Sequence, residues 1–417
     1  MHNKKLTETE VRAIFKQAAA AGTFKGQKVL AVFPDHTRSG PVPIFFRAFC
    51  DYVGASAARL DFLIALGTHM PMTDAMIEEH FGISTEERKG KYGKFGVFNH
   101  AFDDPKENIK VGTLTQDETR RISNGLLDED VPVEINRRVL DYDLLVICGP
   151  VFPHEVVGFS GGNKYLFPGI AAAEIINFFH WLGALVTNPK IIGNKMTVVR
   201  KVVEICAAMV KKPKFAFCYV VDHGDIAGLY AGEAQEAWGA AADLSNALHI
   251  TYMDRAFHTV LSCAPKMYDD IWTAGKCMYK LEPVVSDGGT LIIYAPHVTE
   301  VSYTHGKVLD KIGYHTRDYF AKQMDKFQGV PRGVIAHATH VRGIGTFEGG
   351  VEKPRVKVVL ATGIPKERCE RINLGYMDPK SINISEYQNR EAEGILYIPK
   401  AGEMLYKLKS MPKWQCA

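Results

Sequence analysis

Leu144-Leu145-Val146-Ile147-Cys148-Gly149-Pro150-Val151-Phe152-Pro153-His154 is the stretch that decides the fold class. Its unbroken apolar run, without polar alternation, describes a strand buried on both faces, as in parallel sheets covered by helices. Gly149 and Pro150 end the run, and the chain soon reaches a histidine. Two earlier segments behave alike. Lys28–Phe33 runs into Pro34-Asp35-His36-Thr37-Arg38, and Arg59–Leu66 runs into Gly67-Thr68-His69. Ligands of open parallel sheets bind beyond the carboxyl ends of the strands, so these polar clusters are expected to line one crevice.

Working outward, Phe215–Val221, Val260–Cys263, Thr290–Tyr294, Val356–Leu360 and Ile395–Ile398 read as further strands. Amphipathic stretches such as Lys195–Met209 and Glu233–Ala247 lie between them. The 417 residues exceed one ordinary core. The expected fold class is therefore α/β: two α/β domains with mainly parallel sheets and an interdomain active-site cleft. The strand–helix rhythm thins over 248–275, which places an N-terminal domain at 1–250 and a C-terminal domain at 251–393. Residues 394–417 are expected to return to the first domain. Thr7 and Glu10 have the spacing of a capping box that starts a helix through Arg12-Ala13-Ile14-Phe15.

Composition excludes several classes. With 46% hydrophobic and 23% charged residues the chain is globular. Its net charge of +3 is interspersed rather than gathered into a Lys/Arg run, so no nucleic-acid partner is expected. No apolar window is long enough to span a membrane. The first ten residues are polar, and the eight cysteines form no CxxC pair. Both observations point to a cytoplasmic protein with buried, reduced thiols.

Gly158-Phe159-Ser160-Gly161-Gly162-Asn163-Lys164 has the composition of an anion cradle: glycines that free backbone N–H groups, a hydroxyl and a cation. It is not a Walker loop, because Tyr165 follows the lysine where Ser or Thr is required, and GxGxxG is absent. Pro168-Gly169 stops any helix begun at Lys164, which holds that lysine on a short turn. An ordinary glycine-rich turn with a solvated lysine is the competing reading. Arg38 offers a planar guanidinium to a carboxylate or phosphate, against the alternative that Asp35 caps a helix. His69 and His154 are suited to general acid–base work near neutral pH. His180 sits among Phe178, Phe179 and Trp181, where local reading favours a core histidine over a metal ligand. In the second half, Trp272-Thr273-Ala274-Gly275-Lys276 precedes a strand, and Lys276 could reach an anionic substrate. His297, His305, His337 and His340 receive no role, since loop histidines are usually solvated.

Taken in order, Asp35-His36-Thr37-Arg38, Gly67-Thr68-His69, Asn99-His100, Pro153-His154, Gly158 through Lys164, Pro168-Gly169-Ile170, His180, Lys276, Pro283-Val284-Val285 and Gly288-Gly289-Thr290 resemble the catalytic subunit of the nickel-pincer nucleotide-dependent lactate racemase family. The GFSGGxK segment and the interval from Lys164 to His180 carry most of the resemblance. It implies a racemase or epimerase inverting C2 of a 2-hydroxy acid by reversible hydride transfer. The implied cofactor is a nickel-bearing pyridinium-3-thioamide-5-thiocarboxylate mononucleotide, covalently held on Lys164, with His180 as protein ligand to nickel. His69 and His154 would be the two bases. Asp35, Thr37, Ser160, Gly161 and Gly162 would contact the cofactor, and Arg38, Lys276, Trp272 and Thr273 the substrate. Cofactor-synthesis proteins would be transient partners.

Two departures bear on the substrate. Members acting on lactate carry Arg after the first catalytic histidine, where Met70 stands here, and Tyr-Gln where this chain has Trp272-Thr273. These imply a longer or differently substituted 2-hydroxy acid, such as a sugar acid. The residues alone also leave open a phosphate- or nucleotide-binding transferase or hydrolase without nickel, and a non-catalytic nucleotide carrier.

Overall fold

The structure, a computed structural model, describes residues 5–38 and 40–410. Ser39 and Cys416 lie outside the described residues. The chain divides into two compact units. The first comprises 1–152, 159–176 and 200–248, and the second comprises 153–158, 177–199 and 249–417.

The first unit is built on six strands: β1 (Lys28–Pro34), β2 (Arg59–Ala65), β3 (Val97–Asn99), β4 (Leu144–Pro150), β5 (Lys214–Asp222) and β6 (Asp225–Glu233). Their order is β6-β5-β4-β1-β2-β3. All neighbours are parallel except the β5–β6 hairpin. Every residue of β4 is buried, as its uninterrupted apolar run requires. Because β4, β1 and β2 are adjacent, the three polar clusters that follow them leave the same sheet edge. One face of the sheet carries an aromatic core, in which Phe15 stacks on Phe217 at 3.9 Å and Phe46 on Phe81 at 4.4 Å. Phe15 comes from α1 (Glu8–Ala20), whose Thr7–Glu10 capping box forms as expected.

The second unit has a five-stranded, all-parallel sheet of β7 (Phe257–Cys263), β8 (Val285–Ala295), β9 (Lys357–Thr362), β10 (Gly375–Tyr376) and β11 (Ile395–Ile398), ordered β10-β9-β8-β7-β11. Here two expectations are corrected. Ile395–Ile398 does not return to the first unit: it pairs in parallel with β7, Thr259 opposite Ile395. Its short apolar pattern buries Leu396 and Ile398 but says nothing of which sheet supplies the partner strand. Nor does the first domain run unbroken to residue 250. Segments 153–158 and 177–199 belong to the second unit and take His154 and His180 with them. The physical reason is local packing. Gly193 N–H donates to the Gly158 carbonyl at 3.0 Å. Gly333 N–H donates to Asn177 Oδ1 at 2.8 Å, and Arg317 Nη1 to the Leu185 carbonyl at 3.1 Å.

Candidate active site

In the first unit the end of β1 is folded around one carboxylate. Asp35 is buried, and its Oδ1 accepts from the Thr37 N–H at 3.0 Å and the Thr37 hydroxyl at 2.6 Å. Its Oδ2 lies 2.6 Å from Nδ1 of His69, delivered from the end of β2. Burial alone would raise the Asp35 carboxyl, but His69, Arg38 and the Thr37 hydrogen bond outweigh it and hold it well below the usual carboxylate range. An ionised carboxylate only accepts, so Nδ1 of His69 carries a proton, and in the neutral ring Nε2 presents the lone pair. That is the tautomer a general base needs. Asp35 and Thr37 are hydrogen-bonded to each other, and Asp35 also to His69.

The glycine-rich segment is likewise turned inward. Ser160 Oγ accepts from the Phe152 N–H at 3.0 Å and donates to the Pro150 carbonyl at 2.9 Å. Its hydroxyl thereby clamps the loop onto the end of β4. Gly161 and Gly162 have φ of +83° and +57°, and a Cβ on either would lie within 2.4 Å of Val151 Cγ2 or 2.7 Å of Trp238 Cβ. Both glycines are required by close packing. Trp238, on α4 (Ala234–His249), donates through Nε1 to the Ser160 carbonyl at 2.8 Å. Arg200, on α3 (Val198–Met209), stacks over the Trp238 ring at 3.5 Å. It also donates to the Gly161 carbonyl at 3.1 Å and pairs with Glu204 at 2.8 Å. This buried scaffold presents a four-residue 3₁₀ turn, Gly162–Tyr165, with half-buried Lys164 on it. Gly169 N–H donates to the Lys164 carbonyl at 3.1 Å, and Gly67 N–H to the Gly169 carbonyl at 2.9 Å. The Lys164 turn is thus tied to the loop that carries His69. Tyr165 feels the charges of both Asp35 and Arg38, so the Lys164 turn also lies beside the end of β1. His100 completes the support. It is buried, contacts the Ala171 carbonyl through Nε2 at 2.8 Å and Asn136 Nδ2 through Nδ1 at 3.2 Å, and is pushed down to about 4 by burial.

The second unit gathers a different set. His154 is buried and its Nδ1 accepts from the Val156 N–H at 3.1 Å, while Glu155 Oε2 lies 3.4 Å from the same atom. Around Glu155 stand His154, Lys276 and His340. Lys276 is buried with Nζ 4.7 Å from the Tyr268 ring centre. Thr273 N–H is capped by Asp270 Oδ1 at 2.9 Å, and Trp272 stacks on His337 at 4.1 Å with His305 at 4.5 Å. His180 lies on α2 (Ala173–Val186), packed near Gly333 in the first turn of α5 (Arg332–Arg342). It is close enough to His337 and His340 to act on their charge. Burial, and then the neighbouring imidazoles, hold His337 well below its ordinary value, and burial pushes His340 down to about 4. Both are neutral at neutral pH. His305, His337 and His340, which sequence left without a role, are therefore neighbours of predicted site residues. The available signal was their spacing: His337 and His340 are three apart on one helix, hence on one face.

Among the described residues no three His, Cys, Asp or Glu side chains converge as a metal site. A nickel ion would therefore need a donor set brought by its own cofactor, completed by one imidazole. A pincer nucleotide with two sulfurs and a carbon would bring such a donor set, and an imidazole such as that of His180 could complete it.

A family model described as the lactate racemase N-terminal domain matches residues 3–192. Over 274 residues the chain is 29% identical to a lactate racemase of Lactiplantibacillus plantarum, covering 64% of this chain and 59% of that one. Over 291 residues it is 29% identical to a lactate racemase of Thermoanaerobacterium thermosaccharolyticum, covering 65% and 60%. The chain thus spans about three fifths of the length of these curated relatives. Among solved structures, a Thermotoga maritima protein superposes with a TM-score of 0.89 at 33% identity, over 98% of this chain and all of that one. The lactate racemase apoprotein of T. thermosaccharolyticum superposes with a TM-score of 0.74 at 19% identity, over 97% of this chain and 93% of that one, which is a likeness of fold. The matched residues 3–192, which include Asp35, His69, Lys164 and His180, are similar to the lactate racemase N-terminal domain.

Proposed function

We propose that the protein is a racemase or epimerase that inverts C2 of a 2-hydroxy acid with a nickel-pincer nucleotide held on Lys164. The observation that carries the reading is His69, whose Nδ1 is fixed by buried Asp35 at 2.6 Å so that Nε2 is the basic nitrogen. The cofactor, when bound, supplies a reversible hydride acceptor, which spares the enzyme from making a second anion beside the substrate carboxylate. This chain's residues do the remainder. Lys164 would hold the nucleotide through a thioamide link, and His180 would give its imidazole to nickel. His69 would take the hydroxyl proton of one enantiomer and His154 that of the other. Arg38 and Lys276 would hold the carboxylate. Ser160, Gly161 and Gly162 shape the loop that carries Lys164, and Asp35 with Thr37 orient His69.

The substrate we infer is a 2-hydroxy acid other than lactate, longer or more substituted. Met70, 58% exposed next to His69, has no charge to offer a carboxylate, and Thr273 stands at the position of a hydrogen-bonding Gln amide, beside the Trp272 indole. The setting inferred is cytoplasmic, in keeping with seven buried free thiols, and no helix of the described residues is long and apolar enough to cross a membrane.

Production together with the cofactor-synthesis machinery tests the reading. Intact mass should show an adduct that Lys164→Ala abolishes, and the loaded protein should interconvert one enantiopure pair from a panel of 2-hydroxy acids. Protein that carries neither adduct nor nickel under those conditions refutes it. Thermal stabilisation by a free nucleotide without an adduct would favour a phosphate-binding transferase instead.

A further inference from the structure

His154 has two competing partners at one ring nitrogen. The Val156 N–H donates to Nδ1 at 3.1 Å, and Glu155 Oε2 stands 3.4 Å from it. The two demand opposite protonation: a backbone N–H needs a lone pair on Nδ1, whereas a carboxylate needs a proton there. With Nδ1 turned to Val156, the single proton of neutral imidazole sits on Nε2, which then has nothing to accept with. With Nδ1–H turned to Glu155, Nε2 carries the lone pair. For His69 the carboxylate of Asp35 settles the matter. For His154 the choice is live.

Glu155 is kept ionised by its surroundings. Burial would raise its carboxyl, yet His154, its own backbone N–H, Lys276 and His340 hold it below the usual range. Those groups come from three places: the turn itself, the short helix Lys276–Tyr279, which brings the standing cation Lys276, and α5.

We propose that Glu155 is the positioning residue of the second base: it draws the His154 proton onto Nδ1 and thereby leaves the lone pair on Nε2, while Val156 N–H holds the alternative tautomer. The inference rests on the racemase reading for its use in turnover. In that step the substrate O–H bond breaks, its proton forms the Nε2–H bond, and the resulting imidazolium is held by Nδ1–H against Glu155. In the reverse step Nε2 returns the proton to the carbonyl oxygen of the 2-oxo acid. Glu155 touches no reacting atom.

Glu155→Gln preserves size and removes the charge. In protein made without cofactor and labelled with nitrogen-15 histidine, the His154 signals, assigned with His154→Asn, are followed from about pH 5 to 9. Wild type is expected to show an Nδ1–H population, and to keep the doubly protonated ring to higher pH than the variant, which should show only the Nε2–H form. Unchanged His69 signals establish that the variant is folded, and Glu155→Asp, which keeps the charge, should restore part of the Nδ1–H population. Identical His154 tautomers and titration in wild type and Glu155→Gln overturn the proposal, whatever the protein does to hydroxy acids. In loaded protein, Glu155→Gln should lower kcat/KM about 100-fold with KM nearly unchanged. The equilibrium constant ties the two directions together, so both must fall by the same factor. Full activity in Glu155→Gln also overturns the proposal. A tautomer switch without turnover of any hydroxy acid supports the Glu155–His154 assignment and removes the racemase reading alone.

Discussion

Asp35 does two jobs with two oxygens: Oδ1 is spent on Thr37 and Oδ2 on His69. Sequence placed Asp35, Thr37 and Arg38 at a strand end and His69 at the next, but could not show that a carboxylate and an imidazole in separate loops form a pair. Asp35→Asn puts an amide N–H against Nδ1 and moves the ring proton to Nε2. Initial rates on loaded protein should then show kcat/KM down by about 1,000-fold with KM within about twofold, since orientation of a base is lost and carboxylate binding is not. An intact-mass adduct of normal size would confirm that the cofactor is still loaded. At the same scale, Lys164→Arg keeps the charge but cannot form the covalent link, and should give no adduct at all.

At the scale of elements, the glycine-rich loop was legible as special, but its inward packing was not. An inward-turned loop and an anion cradle share one composition, because both need positive φ and close backbone approach. What distinguishes them is the partner surface, here Val151, Trp238 and Arg200, which comes from β4's end and two helices distant in sequence. Gly161→Ala sets a Cβ 2.4 Å from Val151 Cγ2 at a φ of +83°, and should cost about 2–3 kcal/mol. Thermal melts read this as about 2–4 °C per kcal/mol. His100→Ala leaves the Ala171 carbonyl and Asn136 amide without their imidazole and opens a cavity. A loss of about 2–4 kcal/mol in urea unfolding is expected.

Across the whole molecule, buried neutral imidazoles make stability fall with acid. His100 in the first unit and His340 in the second are each pushed down to about 4 by burial, and His337 lies well below its ordinary value. Between about pH 6.5 and 4 the unfolded chain binds protons at these positions and the folded chain does not, so stability rises with pH across that window and is lost as pH falls. Each group contributes about 1.4 kcal/mol per pH unit over the range between its unfolded and folded values. Urea midpoints measured from pH 7 to 4 should therefore drop, and His340→Asn should flatten the drop relative to wild type. The depressed carboxyls of Asp35 and Glu155 act in the opposite region, stabilising above their unfolded values and losing that contribution only at lower pH.

The local code of this chain was sufficient for its long apolar strands, but not for Val97–Asn99, Asp225–Glu233 or Gly375–Tyr376. Unbroken apolar runs read as parallel strands, the Thr7–Glu10 pair as a helix start, and Pro168-Gly169 as the stop that leaves Lys164 on a turn. These are short-range effects, set by sterics, capping and burial within a few residues. Partnership was not in that code. Whether Ile395–Ile398 lies against β7, whether segments 153–158 and 177–199 join the second unit, and whether Glu155 or Val156 faces Nδ1 of His154 depend on atoms far apart in sequence. The same apolar strand or the same histidine satisfies several surroundings equally well, and only tertiary packing chooses among them.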